Sequence, residues 1–313
     1  MRSNDTLLVP LRPFAVLPHR KWLAQFSHLA CVFTLISSPI LTAAQQSLAA
    51  PYPDLSGTPA SWAQTANQNE LSIVRSQGAR PLRYLQHKVD AKGDTTREVI
   101  ESRQGNVARL LRRNGHPITV AEDLAERERL QTNLDSPEVF AKHHKRAADL
   151  REEALELIPL LPQAMIYNFT DGQPQPKGAI GRQVVLDFHP NPTFRPPTMA
   201  AEALTGMDGR VWIDAKSRCI TRIDAHVLHP VNFGFGILAK IFPGGTIEFE
   251  QTRVATDRWV YSRLEEHLTA RVLLVRMLPE NTTITSWNFR PMPLQLSYQE
   301  ATRVLLNMPV PLN

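Results

Sequence analysis

The sequence predicts a mainly β, α+β fold: a single curved antiparallel sheet with helices covering one face. Three observations predict it. From 206 to 290, apolar and polar residues largely alternate in a series of expected strands that includes G-R-V-W-I-D, I-E-F-E-Q-T-R-V, W-V-Y-S-R-L-E-E-H, R-V-L-L-V-R-M and T-I-T-S-W-N-F-R. That period of two marks strands with one buried and one wet face. Asp208-Gly209 and Pro243-Gly244-Gly245 sit where chain reversals are expected, since glycine supplies the positive φ that such turns often need. Finally, helical stretches lie between early and late strands, and such insertions most economically cover one face of a single sheet.

Taken in order, 1–44 reads as a signal peptide. His19-Arg20-Lys21 precedes an apolar run over 29–44 that ends in small residues and is broken by Ser37-Ser38-Pro39. The alternative is an uncleaved membrane anchor, against which the run falls short of the roughly 20 residues that span a bilayer. Residues 45–60, with Pro51, Pro53 and Pro59, read as a flexible lead into one domain over 61–310. A helix is expected over 61–76. A three-stranded meander follows over 80–113, with turns at Lys92-Gly93-Asp94 and Gln104-Gly105 and an end at Asn114-Gly115. Thr119 and Glu122 have capping-box spacing and open a charged helix to 132; a second helix runs from Asp135-Ser136-Pro137 to about 157. Strands resume with A-M-I-Y-N-F and Q-V-V-L-D-F-H. The proline-rich connector over 189–197 cannot be central strand, because proline donates no ladder hydrogen bond. A short element at 199–204 precedes the main strands, and 294–307 reads as a last short helix.

The chain has 313 residues, 42% hydrophobic and 21% charged. The first 44 residues hold a net +3, leaving +2 of the total +5 for the rest, too little to argue for nucleic acid or an anionic membrane surface. Only Cys219 remains beyond the signal, so the sequence offers neither a disulfide framework nor a thiolate metal cage, and no cofactor is expected.

No familiar catalytic string is present. His143-His144 diverge on a helix, and His226 and His229 point to opposite faces of a strand. Asp187, His189, Asp224 and His226 could converge if their strands are neighbours, which leaves a hydrolase as a third reading. The segment 231–242 (V-N-F-G-F-G-I-L-A-K-I-F) breaks the alternation and is expected as a loop or short helix across an apolar surface, a candidate lid. The apolar positions expected to line a concavity are Val211, Ile213, Ile223, Val227, Ile247, Phe249, Trp259, Trp287 and Phe289, with Phe233 and Phe235 from the lid. This list assumes a register; a slip of one residue exchanges the faces.

These elements, with G-R-V-W-I-D, F-E-Q-T-R-V, R-V-L-L, F-H-P-N-P-T-F-R-P-P and N-G-H-P-I-T, resemble exported bacterial proteins labelled outer-membrane lipoprotein-sorting protein-like, over about 65–292. The resemblance implies the LolA/LolB/RseB-type half-barrel, in which the sheet forms an unclosed β-barrel with helices covering its concave face. It also implies a non-enzymatic periplasmic carrier whose apolar concavity shields a lipoprotein acyl chain or lipid, with no catalytic residues. The alternative is an envelope protein-interaction or sensor module whose cavity is filled by its own side chains.

Overall fold

The computed structural model describes residues 55–76, 78–179, 181–233, 239–272, 276–294 and 296–310. The expected signal peptide and most of the lead lie outside them. Helix α1 (Pro59–Arg75) opens the described chain, with Thr58 and Ser61 forming a capping box and Pro59 in its first turn. Strands β1 (Leu82–Asp90), β2 (Gly93–Ile100) and β3 (Val107–Arg113) make the meander. Asn114 and Gly115, at φ 52° and 77°, turn β3 into a two-residue strand β4 (His116–Pro117), so the meander gains a fourth strand. Helices α2 (Val120–Asp135) and α3 (Pro137–Leu157) follow; the Thr119–Glu122 capping box is present and Ser136 caps α3. A 3-10 turn (Ile158–Leu160) and the single turn α4 (Leu161–Ala164) lead into β5 (Met165–Phe169) and β6 (Gln183–Pro190).

After a second 3-10 turn (Ala200–Thr205) come β7 (Met207–Asp214), β8 (Ile220–Val227), β9 (Val231–Phe233), β10 (Ala239–Ile241), β11 (Thr246–Ala255), β12 (Arg258–Val272), β13 (Arg276–Pro291) and helix α5 (Tyr298–Leu306). The strands form one antiparallel sheet in the order β4-β3-β2-β1-β13-β12-β11-β8-β7-β6-β5, with β10 attached to β12 and β9 to β10. The end strands β4 and β5 do not pair, so the sheet is unclosed.

Three sequence expectations change. Gly209 is not in a turn: it lies inside β7, paired with Ala225 and Phe188. A side chain there would run into the Asp224 carbonyl and come within 2.7 Å of the Ala225 Cα, so the glycine serves close strand approach. The stretch 231–242 is not a loop or helix at its described ends but the pair β9–β10. Val231, Phe233, Ala239 and Ile241 are buried, with Asn232 and Lys240 between them. Its expected lid centre, including Phe235, lies outside the described residues. Lastly, R-V-L-L-V-R-M is not one strand: Arg271 and Val272 end β12, and Arg276 and Met277 begin β13 opposite them.

Register divides the sheet into two faces. On the first, Leu186, Val211, Ile223, Phe249, Leu264 and Ile284 stand in a row across β6, β7, β8, β11, β12 and β13. Trp62, Ala63 and Ala66 of α1 and Leu161 of α4 pack in the same cluster as the β6–β12 part of that row. Burying a valine, leucine or phenylalanine is worth about 1.5–3 kcal/mol, so this cluster is the main source of stability. Helices α2 and α5 pack elsewhere, and α3 bridges the two sides, with Leu157 in this cluster and Phe140 in the next. Ile100 and Val107, which are cross-strand partners on the opposite face, join Leu130, Phe140, Tyr298, Ala301 and Leu305 in a separate cluster. On that side Arg109, fully buried, donates to Asp123 Oδ1 at 2.6 Å and to the Leu305 and Met308 carbonyls at 2.9 Å each. Helix α2 also masks the free edge of β3. Glu126 accepts the Leu110 N–H at 2.7 Å, and Arg129 donates to the Ala108 carbonyl at 2.6 Å.

Candidate functional site

The candidate site lies on the first face, beneath α1. Its floor is apolar because β6, β7 and β8 present Phe188, Val211, Ile213 and Ile223 in adjacent pleats. Its roof is α1, where Ala63 and Ala66 recur three residues apart and let the helix come close. Leu161, Met165 and Tyr167 close one side, and the free space left is about 20 Å³, room for about one water. The Tyr167 hydroxyl is pushed well above its ordinary value by burial, so it stays protonated, and it donates to the Leu161 carbonyl at 3.4 Å.

Polar groups fasten α1 at several points, including its end, where Arg151 of α3 donates to the Val74 and Arg75 carbonyls at 3.1 Å each. Asn69 Nδ2 donates to the carbonyls of Ser217 and Arg218 in the β7–β8 turn, at 3.1 and 3.0 Å. The Arg218 guanidinium lies over the Trp62 ring, 3.1 Å from its centroid. Glu70, on the buried side of α1, accepts from Gln251 Nε2 at 2.6 Å and from the Tyr261 hydroxyl at 2.7 Å. Desolvation raises the Glu70 carboxyl above its ordinary 4.5, and those two donors oppose the rise. This latch sits between the first cleft, under the N-terminal half of α1, and a second beyond its C-terminal half. The second is lined by Ile73 and Ser76 of α1 and by Tyr84, Trp259 and Phe289.

The expected lining residues separate accordingly. Val211, Ile213 and Ile223 line the first cleft, and Val227, Ile247 and Phe249 extend its buried face. Phe233 joins the same cluster from β9. Trp259 and Phe289 belong to the second cleft. Trp287 departs from the expectation: it pairs with Leu85 on the face opposite Ser286 and is 41% exposed. A bulge, with Asn288 at φ 60°, returns Phe289 to the side of Tyr84, 5.2 Å away between ring centroids. Sequence reasoning missed Glu70, Gln251 and Tyr261, and also Met165, Tyr167 and Phe188. For the last three, the alternation in A-M-I-Y-N-F and D-F-H was the available signal.

The Asp187, His189, Asp224 and His226 group does fall on neighbouring strands and one face, but each aspartate is held by an arginine. Arg210 meets Asp187 at 2.6 Å, and Arg222 meets Asp224 at 2.7 Å and Glu250 at 2.6 Å. His226 Nδ1 is 3.7 Å from Asp208, and His189 is exposed. Burial raises Asp224 to about 6 despite Arg222. These charges form a cross-strand ladder on the second face, away from either cleft. Among the described residues, no group of three or more His, Cys, Asp or Glu side chains is placed to hold a metal ion. Cys219 is half-buried, its thiol pushed up by burial, consistent with a small packed side chain. No described helix is long and apolar enough to cross a membrane. No protein-family model matches the chain, and no curated protein matches it.

Proposed function

We propose that the protein is an exported, non-enzymatic binding protein of the bacterial envelope that carries an apolar ligand, a lipoprotein acyl chain or a lipid. In this reading the sheet is a half-barrel, its first face is the concave one, and α1 is the cover. The observation that carries the reading is a helix laid on an apolar sheet face through small residues and fastened by a few polar latches. A bound acyl chain would take over the apolar surface that α1 now covers, each buried methylene contributing about 0.8 kcal/mol.

A second reading, an envelope interaction or sensor module with a self-filled cavity, is favoured by the 20 Å³ of free space in the first cleft. Charged substitutions separate the two readings. Phe249→Asp places a charge on the proposed binding face, whereas Trp287→Asp places one on the opposite face. With folding checked by circular dichroism, lipid co-purifying with Trp287→Asp and absent from Phe249→Asp supports a carrier. Lipid retained by both, or found on neither variant nor the parent, contradicts it.

A further inference from the structure

The second cleft has features the first lacks. Its free space is about 100 Å³, against about 20 Å³ in the first, and it opens to solvent, so part of a small ligand can lie inside it and part outside. It needs no movement of α1. Tyr84, Trp259 and Phe289 give it aromatic walls. The Trp259 indole N–H, buried in that wall, has no hydrogen-bond acceptor among the described residues.

Two guanidiniums stand beside these walls. Arg258 Nη1 donates to the Arg80 carbonyl, which fixes the two arginines side by side, and Arg258 Nη2 is bound to the buried Glu101 at 3.0 Å. Arg80 is held differently. Its partner Asp257, at 2.9 Å, has a side chain 71% exposed, and Arg80's own is 49% exposed. Exposed pairs of this kind are weak and exchangeable, and arginine accepts a second carboxylate in the same fork geometry.

We infer that this cleft is a binding site for a small carboxylate amphiphile, with its carboxylate on Arg80 in place of Asp257 and its apolar body against Tyr84, Trp259 and Phe289. The geometry separates what each group contributes. Arg258 is committed to Glu101 and shapes the rim; Arg80 reads the anion; the aromatic walls read the body. Asp257 acts as a resident competitor. The inference does not require α1 to lift, so it stands or falls apart from the carrier reading.

Isothermal titration of the whole protein with octanoate, 1-octanol and acetate tests it. Octanoate should bind in the micromolar to low millimolar range, with 1-octanol at least tenfold weaker and acetate undetected. Arg80→Gln, an exposed substitution, should bring octanoate down to the level of 1-octanol. Asp257→Asn should act in the opposite direction and tighten octanoate severalfold, and Phe289→Ala should weaken both eight-carbon ligands together. Equal affinity for octanoate and 1-octanol, no change in Arg80→Gln, or no octanoate binding at millimolar concentration would overturn the assignment.

Discussion

Replacing Glu70 with alanine should loosen α1 from the sheet by about 1–3 kcal/mol. The size follows from what is left behind. Gln251 Nε2, on a buried side chain, and the hydroxyl of the partly exposed Tyr261 reach Glu70 at 2.6 and 2.7 Å, so alanine would strand the amide while the hydroxyl can turn to water. A stranded donor costs about 1–3 kcal/mol, less whatever is regained by removing a poorly solvated carboxylate. Glutamine is the informative contrast. Its carbonyl can accept from Tyr261, and its amide can donate to Gln251 Oε1, which has no partner among the described residues. Glu70→Gln should thus stay within about 1 kcal/mol of the parent at neutral pH.

The pH dependence adds a second readout for Glu70. Burial raises its folded value above 4.5, so the folded state binds the proton more tightly than the unfolded chain does. The resulting stability is fully present below 4.5 and is lost as pH rises through the raised folded value. The parent should therefore gain on Glu70→Gln as pH falls from 8 toward 4.5. Urea unfolding at several pH values measures both effects. An alanine variant within 0.5 kcal/mol of the parent (an effect too small for a stranded buried amide), or a parent and Glu70→Gln with parallel pH profiles, would refute the latch.

Other consequences concern the frame around the site. Glu266 lies on the first face between Ile247 and Thr282, is 1% exposed, and is raised to about 8 by desolvation and then by Glu280. By the same sign, its contribution is complete below 4.5 and lost as pH rises through 8, at up to about 1.4 kcal/mol per pH unit. Glu266→Gln should be more stable than the parent at pH 8 by a few kcal/mol, with the difference level below 4.5, as thermal melts across that range would record. Arg109→Ala should cost about 3–5 kcal/mol in denaturant unfolding, because it leaves Asp123 buried beside one fewer cation and releases the end of α5. A loss under 1 kcal/mol would show that Arg109 does not fasten α5.

Much of the frame was legible because it rests on local signals. Thr119 and Glu122 announced α2, Asn114-Gly115 its turn, and the alternation of V-W-I-D and I-E-F-E the strands that carry Val211, Ile213, Ile247 and Phe249. The misreadings share one cause: a local signal overridden by a distant partner. Gly209 looks like a turn residue, yet it is small so that the neighbouring strand can approach. Trp287 has the right parity until the bulge at Asn288 intervenes. Periodicity also cannot say which face a helix will cover, so the placement of α2 and α5 against Ile100 and Val107 was not readable. The Glu70 latch joins residues more than 180 positions apart, and nothing near any of them in the chain marks the contact.

The central claim is that α1 covers a face able to hold an apolar chain, and native mass spectrometry of the protein purified from a bacterial periplasm, with lipid extraction of the same sample, tests it most directly. The account predicts a stoichiometric lipid adduct that is lost on denaturation and, in the bare protein, uptake of an added lipopeptide. A bare polypeptide mass that takes up neither long-chain fatty acid nor lipopeptide would contradict it and favour a protein whose face is filled by its own helix.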